Sequence, residues 1–158
     1  MFRGMKLRQI VLDALSIALC VVTVAAVLLL WKSLPEQIVK NFDAFGAPRS
    51  FGGKSSVFLL LGLMVLLTGM LCALVRIPAL YRRINLPWTI PWGREGLIVD
   101  LTKGFLCVTN LCITLSNVYL VAASIKGRLL PWLLWLPYGV MLAAMIWFLV
   151  QARRICKN

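Results

Sequence analysis

Four long apolar runs, separated by shorter polar stretches, dominate this chain. They extend over residues 10–31, 57–75, 104–125 and 129–150. The shortest run would rise about 28 Å as an α-helix, close to the ~30 Å thickness of a bilayer's hydrocarbon core. The pattern therefore predicts an all-α, polytopic membrane protein: a bundle of four transmembrane helices that forms a single membrane domain over 1–158.

Composition supports the membrane assignment. Hydrophobic residues make up 61% of the 158 positions, and the mean hydropathy is +0.92. The formal net charge is +12, which in a soluble protein would suggest nucleic-acid binding. Here the basic residues lie mostly between and beyond the apolar runs, where they set orientation and meet anionic lipid headgroups. We therefore expect the lipid bilayer as a partner and no nucleic acid.

The basic residues also predict an orientation, because loops rich in lysine and arginine tend to stay in the cytoplasm. The two termini and the second loop together carry 11 basic residues, whereas the first and third loops carry 6. We expect a multi-pass protein of a bacterial plasma membrane with both termini in the cytoplasm.

The residue types argue against catalysis. The chain has no histidine, which removes histidine-based acid–base catalysis, catalytic triads that use histidine and most zinc sites. The cysteines are odd in number and form no C-x-x-C motif, and most lie in apolar runs, where cysteine behaves as a small hydrophobe; they are Cys20, Cys72, Cys107, Cys112 and Cys156. We expect no enzyme, no catalytic residue, no bound metal and no cofactor.

The first loop, residues 33–54, has the most distinctive sequence. Pro35 can begin a helix, Gly46 can end one, and Pro48 prevents its continuation. Apolar residues between these points share one helical face: Leu34, Ile38, Phe42 and Phe45. The spacing predicts a short amphipathic helix that lies on the extracellular face of the membrane.

Eight residues of this loop are candidates for contact with a ligand or partner. They are Pro35, Asn41, Phe42, Asp43, Gly46, Pro48, Arg49 and Lys54. In one interpretation the loop only anchors the first two spans, with Asp43 paired to Arg49 or Lys54. In the other it contacts an extracellular peptide or another membrane protein, because loops that a rigid scaffold presents often carry function.

The third run contains polar residues at helical spacing, so they share one face that should look into the bundle. Three of them, Asn110, Thr114 and Asn117, lie near midspan. They can act as hydrogen-bonding contacts between helices. Alternatively, they line a path in a small transporter or channel subunit, a function that would require a homo-oligomer because four helices alone enclose little pore.

The loop sequence resembles a known family. The order L-P-x-x-I-x-x-N-F-D-x-x-G-x-P, followed by Lys54 and a transmembrane run, is similar to domain of unknown function 1648, found in bacterial membrane proteins similar to the sporulation-delaying toxin immunity protein. The stretch Ile84-Asn85-Leu86-Pro87-Trp88 resembles a segment that follows the second helix in small members. Asn41 stands where the family often has histidine, and Arg49 where an acidic residue is common.

The resemblance implies a non-enzymatic membrane protein of the immunity or signalling type, and it supplies no catalytic residues. We expect recognition of a peptide or membrane partner through the first extracellular loop, with the transporter or channel subunit as the alternative function.

Overall fold

The computed structural model describes residues 5–77 and 93–157, and these contain four helices long and apolar enough to cross a membrane. They are α1 (Leu7–Leu29), α2 (Val57–Arg76), α3 (Glu95–Lys126) and α4 (Pro131–Lys157). The predicted four-helix membrane fold is confirmed. The family-like stretch 84–88 lies outside the described residues.

The third helix begins well before its apolar run, and the fourth ends well beyond its own. The third helix begins at Glu95 rather than near Gly104, and the fourth ends at Lys157 rather than near Val150. Contacts between polar groups stabilise these extensions: Lys6 forms an ion pair with Asp100, and Arg94 donates a hydrogen bond to the carbonyl of Ile155. A hydropathy pattern marks only the part of a helix that meets lipid, so it cannot show where the helix ends.

The third helix is the centre of the bundle, since it packs against each of the other three. It is also the least hydrophobic of the four candidate spans, and its polar side chains are buried. In the most hydrophobic 18-residue stretch of α4, no residue is buried. Lipid offers no hydrogen-bond partners, so polar side chains must find them inside the protein. A polar helix therefore lies inside the bundle, and an apolar helix faces lipid.

The first loop folds as a β-hairpin, so the predicted interfacial helix is wrong. Strand β1 (Gln37–Phe42) pairs antiparallel with β2 (Pro48–Gly53), and Val39 lies opposite Phe51. The register shifts between Val39 and Asn41, which leaves Lys40 in a bulge.

The helical interpretation failed because its spacing was ambiguous. Leu34, Ile38 and Phe42 are four residues apart, and a spacing of four fits the two-residue period of a strand as well as a helix. Phe45 breaks the strand pattern, and it lies in the turn, exposed, instead of completing an apolar face. The partner strand at 48–53 then satisfies backbone groups that an isolated short helix would satisfy poorly.

The hairpin is docked on the bundle. Ile38 and Val39 are buried, and the Leu129 N–H, between α3 and α4, donates a hydrogen bond of 3.2 Å to the Gly46 carbonyl. Gly46 has a φ of +84°, and a Cβ atom there would lie 1.9 Å from the carbonyl oxygen of Leu129. Only glycine fits this contact.

Candidate functional site

Asp43 has a structural role in the hairpin turn. Its carboxylate oxygen Oδ1 accepts hydrogen bonds from the backbone N–H groups of Phe45, at 2.9 Å, and Ala47, at 2.8 Å. This is a side-chain-stabilised turn. The expected ion pairs of Asp43 with Arg49 or Lys54 do not form, because the carboxylate is directed at the backbone and Lys54 lies 3.4 Å from Glu36.

Several other predicted contact residues also shape the hairpin. Asn41 donates a hydrogen bond of 3.0 Å to the Ser50 hydroxyl, across the two strands. Phe42 lies opposite Pro48 in the last pair before the turn. Pro35 is exposed in the segment that leads into β1.

Lys54 joins the hairpin to the turn that follows α1. Besides its contact with Glu36, its ammonium group lies 5.1 Å from the centre of the Trp31 ring. That ring stacks on Phe58 of α2. Lys54 therefore helps to hold the base of the hairpin between the first two helices, through a cation–π contact and an ion pair.

Three side chains of the hairpin are largely exposed. Phe45 is 88% exposed and Phe51 is 58% exposed. Arg49 is also exposed, and it forms no ion pair within the part of the chain that the structure describes. We call Phe45, Arg49 and Phe51 the hairpin surface. The sequence identified Arg49 as a candidate but missed the two phenylalanines: its pattern placed Phe45 on the apolar face of the predicted helix, and no pattern singled out Phe51.

The predicted polar face of α3 lies inside the bundle. Asn110 and Thr114 are fully buried. The hydroxyl groups of Thr114 and Thr68 of α2 are 3.0 Å apart. Asn117 instead donates a hydrogen bond of 2.9 Å to the carbonyl of Ile113 in its own helix. Within this face, therefore, Thr114 links two helices whereas Asn117 does not.

A second polar group joins α1, α2 and α3 at the end of the bundle opposite the hairpin. It consists of Asp13, Cys72, Arg76 and Asn110, which we call the buried polar cluster. Asp13 has no exposed surface, and its two carboxylate oxygens accept hydrogen bonds from the Cys72 thiol, at 3.0 Å, and from the Arg76 guanidinium. Asn110 donates a hydrogen bond of 3.2 Å to the Cys72 sulfur.

The cluster neutralises an acidic residue inside the membrane. A carboxylate in hydrocarbon is costly, and pairing it with a cation and a further donor lowers that cost. Arg76 is the basic partner of Asp13 among the described residues. The side-chain oxygen Oδ1 of Asn110 is buried and has no hydrogen-bond partner among the described residues.

Comparison with known proteins gives one match. Residues 18–65 match the family model described as "Domain of unknown function (DUF1648)". Searches of curated proteins and of solved structures gave no significant match. The matched segment runs from the middle of α1 through the hairpin to the first half of α2, so the DUF1648 similarity covers the hairpin and the helices that carry it.

Proposed function

We propose that this chain is a non-enzymatic protein of a bacterial plasma membrane, of the immunity or signalling type, which recognises a peptide or a membrane partner through the hairpin. Both termini would lie in the cytoplasm and the hairpin outside. The resemblance to proteins similar to the sporulation-delaying toxin immunity protein supports this function, and the family match includes the whole hairpin.

The observation that carries the proposal is the contrast between the buried and the exposed residues of the hairpin. Ile38, Val39 and the Gly46–Leu129 contact fix the hairpin to the bundle. Phe45, Arg49 and Phe51, the hairpin surface, are exposed. Aromatic and arginine side chains on a rigid support dominate binding energy in many protein interfaces, whereas a connector between two spans has no need of a docked, folded element.

The test is a phenotype that depends on a neighbouring gene product. Cells that lack the protein would express the peptide or repressor encoded beside it, together with the wild type or with a Phe45→Ser/Arg49→Gln variant. The proposal expects that this variant loses protection or signalling while its membrane abundance and melting temperature stay near those of the wild type. Neither residue makes a contact that the fold requires.

A matched control changes an aromatic residue and a cation at the same end of the bundle but outside the hairpin. Trp132 and Lys32 are both exposed there, so a Trp132→Ser/Lys32→Gln variant also removes one aromatic ring and one positive charge. It should retain activity. Full activity of the hairpin variant at wild-type abundance would contradict the proposal.

The alternative, a small transporter or channel subunit, would use the polar residues between α1, α2 and α3. One observation favours it: Asp13 is ionisable and buried, and such residues within membranes often mark ion paths. Ion flux into vesicles that contain the purified wild-type protein separates the two functions, since flux above that of protein-free vesicles would support transport.

A further inference from the structure

A cleft with both polar and apolar lining residues lies between the hairpin and the start of α2, at the hairpin end of the bundle. Its volume is about 400 Å³, and it is distinct from the hairpin surface. Strand β1 forms one wall, and the short 3₁₀ turn Lys54–Ser56 with the first turn of α2 forms the other. The lining residues include Ile38, Lys40, Asn41, Ser55, Ser56 and Leu59.

The position of Lys40 is set by two features of the hairpin. The bulge in β1 leaves Lys40 without a partner on β2, and bulges commonly redirect a side chain. The Lys40 side chain then passes over Gly52: a Cβ atom at Gly52 would lie 2.1 Å from the Cε atom of Lys40 and 2.8 Å from the Ser56 hydroxyl. A glycine at this position is therefore what lets the lysine lie beside the serine.

The polar groups of the cleft have hydrogen-bonding capacity that the protein does not use. Within the described ranges, Lys40 forms no ion pair, and the hydroxyls of Ser55 and Ser56 form no hydrogen bond. A lysine and two hydroxyls are donors that suit phosphate oxygens. No acidic side chain lines the cleft.

The apolar lining indicates that the anion carries a hydrocarbon chain. Ile38 of the β1 wall is buried, and Leu59, in the first turn of α2, is 79% exposed. The cleft therefore changes from polar to apolar along α2, in the direction in which the helix enters the bilayer. A phospholipid has the same order of groups, with a phosphate at the surface and acyl chains below it.

From this arrangement we infer that the cleft binds the phosphate of an anionic phospholipid, with Lys40, Ser55 and Ser56 as its donors and Leu59 against an acyl chain. This inference does not rest on the proposed function. It gives the loop a lipid-binding site beside its partner-binding surface, and it would fix the hairpin relative to the bilayer.

The experiment is native mass spectrometry of the purified full chain, titrated with phosphatidylglycerol or with diacylglycerol of the same acyl chains. Lys40→Gln should weaken phosphatidylglycerol binding roughly fivefold, the effect of removing one lysine close to an anionic membrane surface. Gly52→Ala should weaken it as well, because the added methyl group displaces the lysine without changing the charge. The control is Lys32→Gln, an exposed lysine at the same end of the bundle, which should bind as the wild type does.

Three results would overturn the inference. Equal losses in Lys40→Gln and Lys32→Gln would show diffuse attraction between charges. Diacylglycerol that binds as well as phosphatidylglycerol would show that the phosphate is not recognised. Inorganic phosphate that displaces the lipid completely at equal concentration would show a site for the free anion. Melting temperatures of all variants, measured in the same detergent, ensure that each comparison concerns folded protein.

Discussion

The carboxylate of Asp13 on α1 and the guanidinium of Arg76 at the end of α2 form an ion pair inside the bundle. The Asp13 side chain has no exposed surface, and that of Arg76 is 21% exposed. The pair lies at the opposite end of these two helices from the hairpin that connects them. The first two helices are thus joined at both ends, by the hairpin at one end and by this ion pair at the other.

Removing one member of this pair should destabilise the protein strongly. Asp13→Ala leaves the Arg76 guanidinium without its carboxylate, and breaking a buried pair in this way costs roughly 3 kcal/mol or more. Thermal unfolding in detergent measures the loss. An Asp13→Asn/Arg76→Gln double variant should recover part of it, because neither residue then carries an uncompensated charge.

The matched control is the ion pair between Lys6, the residue before α1, and Asp100 of α3, whose side chains are 55% and 31% exposed. Exposed pairs contribute about 0–1 kcal/mol, so Lys6→Gln should change the melting temperature little. Equal effects of Asp13→Ala and Lys6→Gln would contradict the role assigned to the buried pair.

The hydroxyl contact between Thr68 and Thr114 should couple α2 to α3. Thr68→Val and Thr114→Val keep side-chain volume but remove the hydrogen bond, and a double-mutant cycle should give a coupling free energy of about 0.6 kcal/mol. Ser116 provides the control, since its hydroxyl donates a hydrogen bond of 3.0 Å to the carbonyl of Cys112 in its own helix. Ser116→Ala combined with Thr68→Val should therefore be additive, and coupling of similar size in that pair would contradict the assignment.

The sequence predicted the parts of this structure that depend on composition over a whole helix. The four spans follow from runs of apolar residues, and the carboxylate of Asp13 within a span indicates that a cation lies nearby. Which cation it is depends on how α1 and α2 are placed by the hairpin, and no local pattern around residue 13 encodes that.

The loop shows why the rest was harder to predict. Leu34, Ile38 and Phe42 have a spacing that a helix and a strand share, so the choice depends on whether a second strand is available at 48–53. The contact of Gly46 with Leu129 involves residues far apart in the chain. The carboxylate of Asp43, a polar group in a loop, suggests a residue for external contact, yet its Oδ1 oxygen accepts hydrogen bonds from the turn's own backbone.

Gly46→Ala should release the hairpin from the bundle. The added methyl group would collide with the Leu129 carbonyl, which belongs to the backbone and cannot move aside easily, and the positive φ adds strain of its own. We expect a loss of roughly 2 kcal/mol or more in stability and faster amide hydrogen exchange in β1 and β2.

Gly93 separates these two effects. Its φ is +83°, close to that of Gly46, but no described atom lies within 4 Å of the Cβ position. Gly93→Ala should therefore cost only the backbone strain, about 1 kcal/mol, and leave exchange in the hairpin unchanged. Hairpin exchange that is the same in both variants would show that the Gly46–Leu129 contact does not hold the hairpin in place.

The last prediction concerns orientation, which follows from the excess of basic residues in the termini and the second loop. In a chain whose native cysteines are replaced, a single new cysteine would be placed at Ala47, in the exposed turn of the hairpin, or at Lys157, at the exposed end of α4. An impermeant thiol reagent should label Ala47→Cys on intact cells, whereas Lys157→Cys should react only after the membrane is permeabilised. Both sites are accessible to water in the folded protein, so a difference between them reports the side of the membrane and not burial. Labelling of position 157 but not 47 on intact cells would reverse the orientation, and the hairpin surface would then face cytoplasmic rather than external partners.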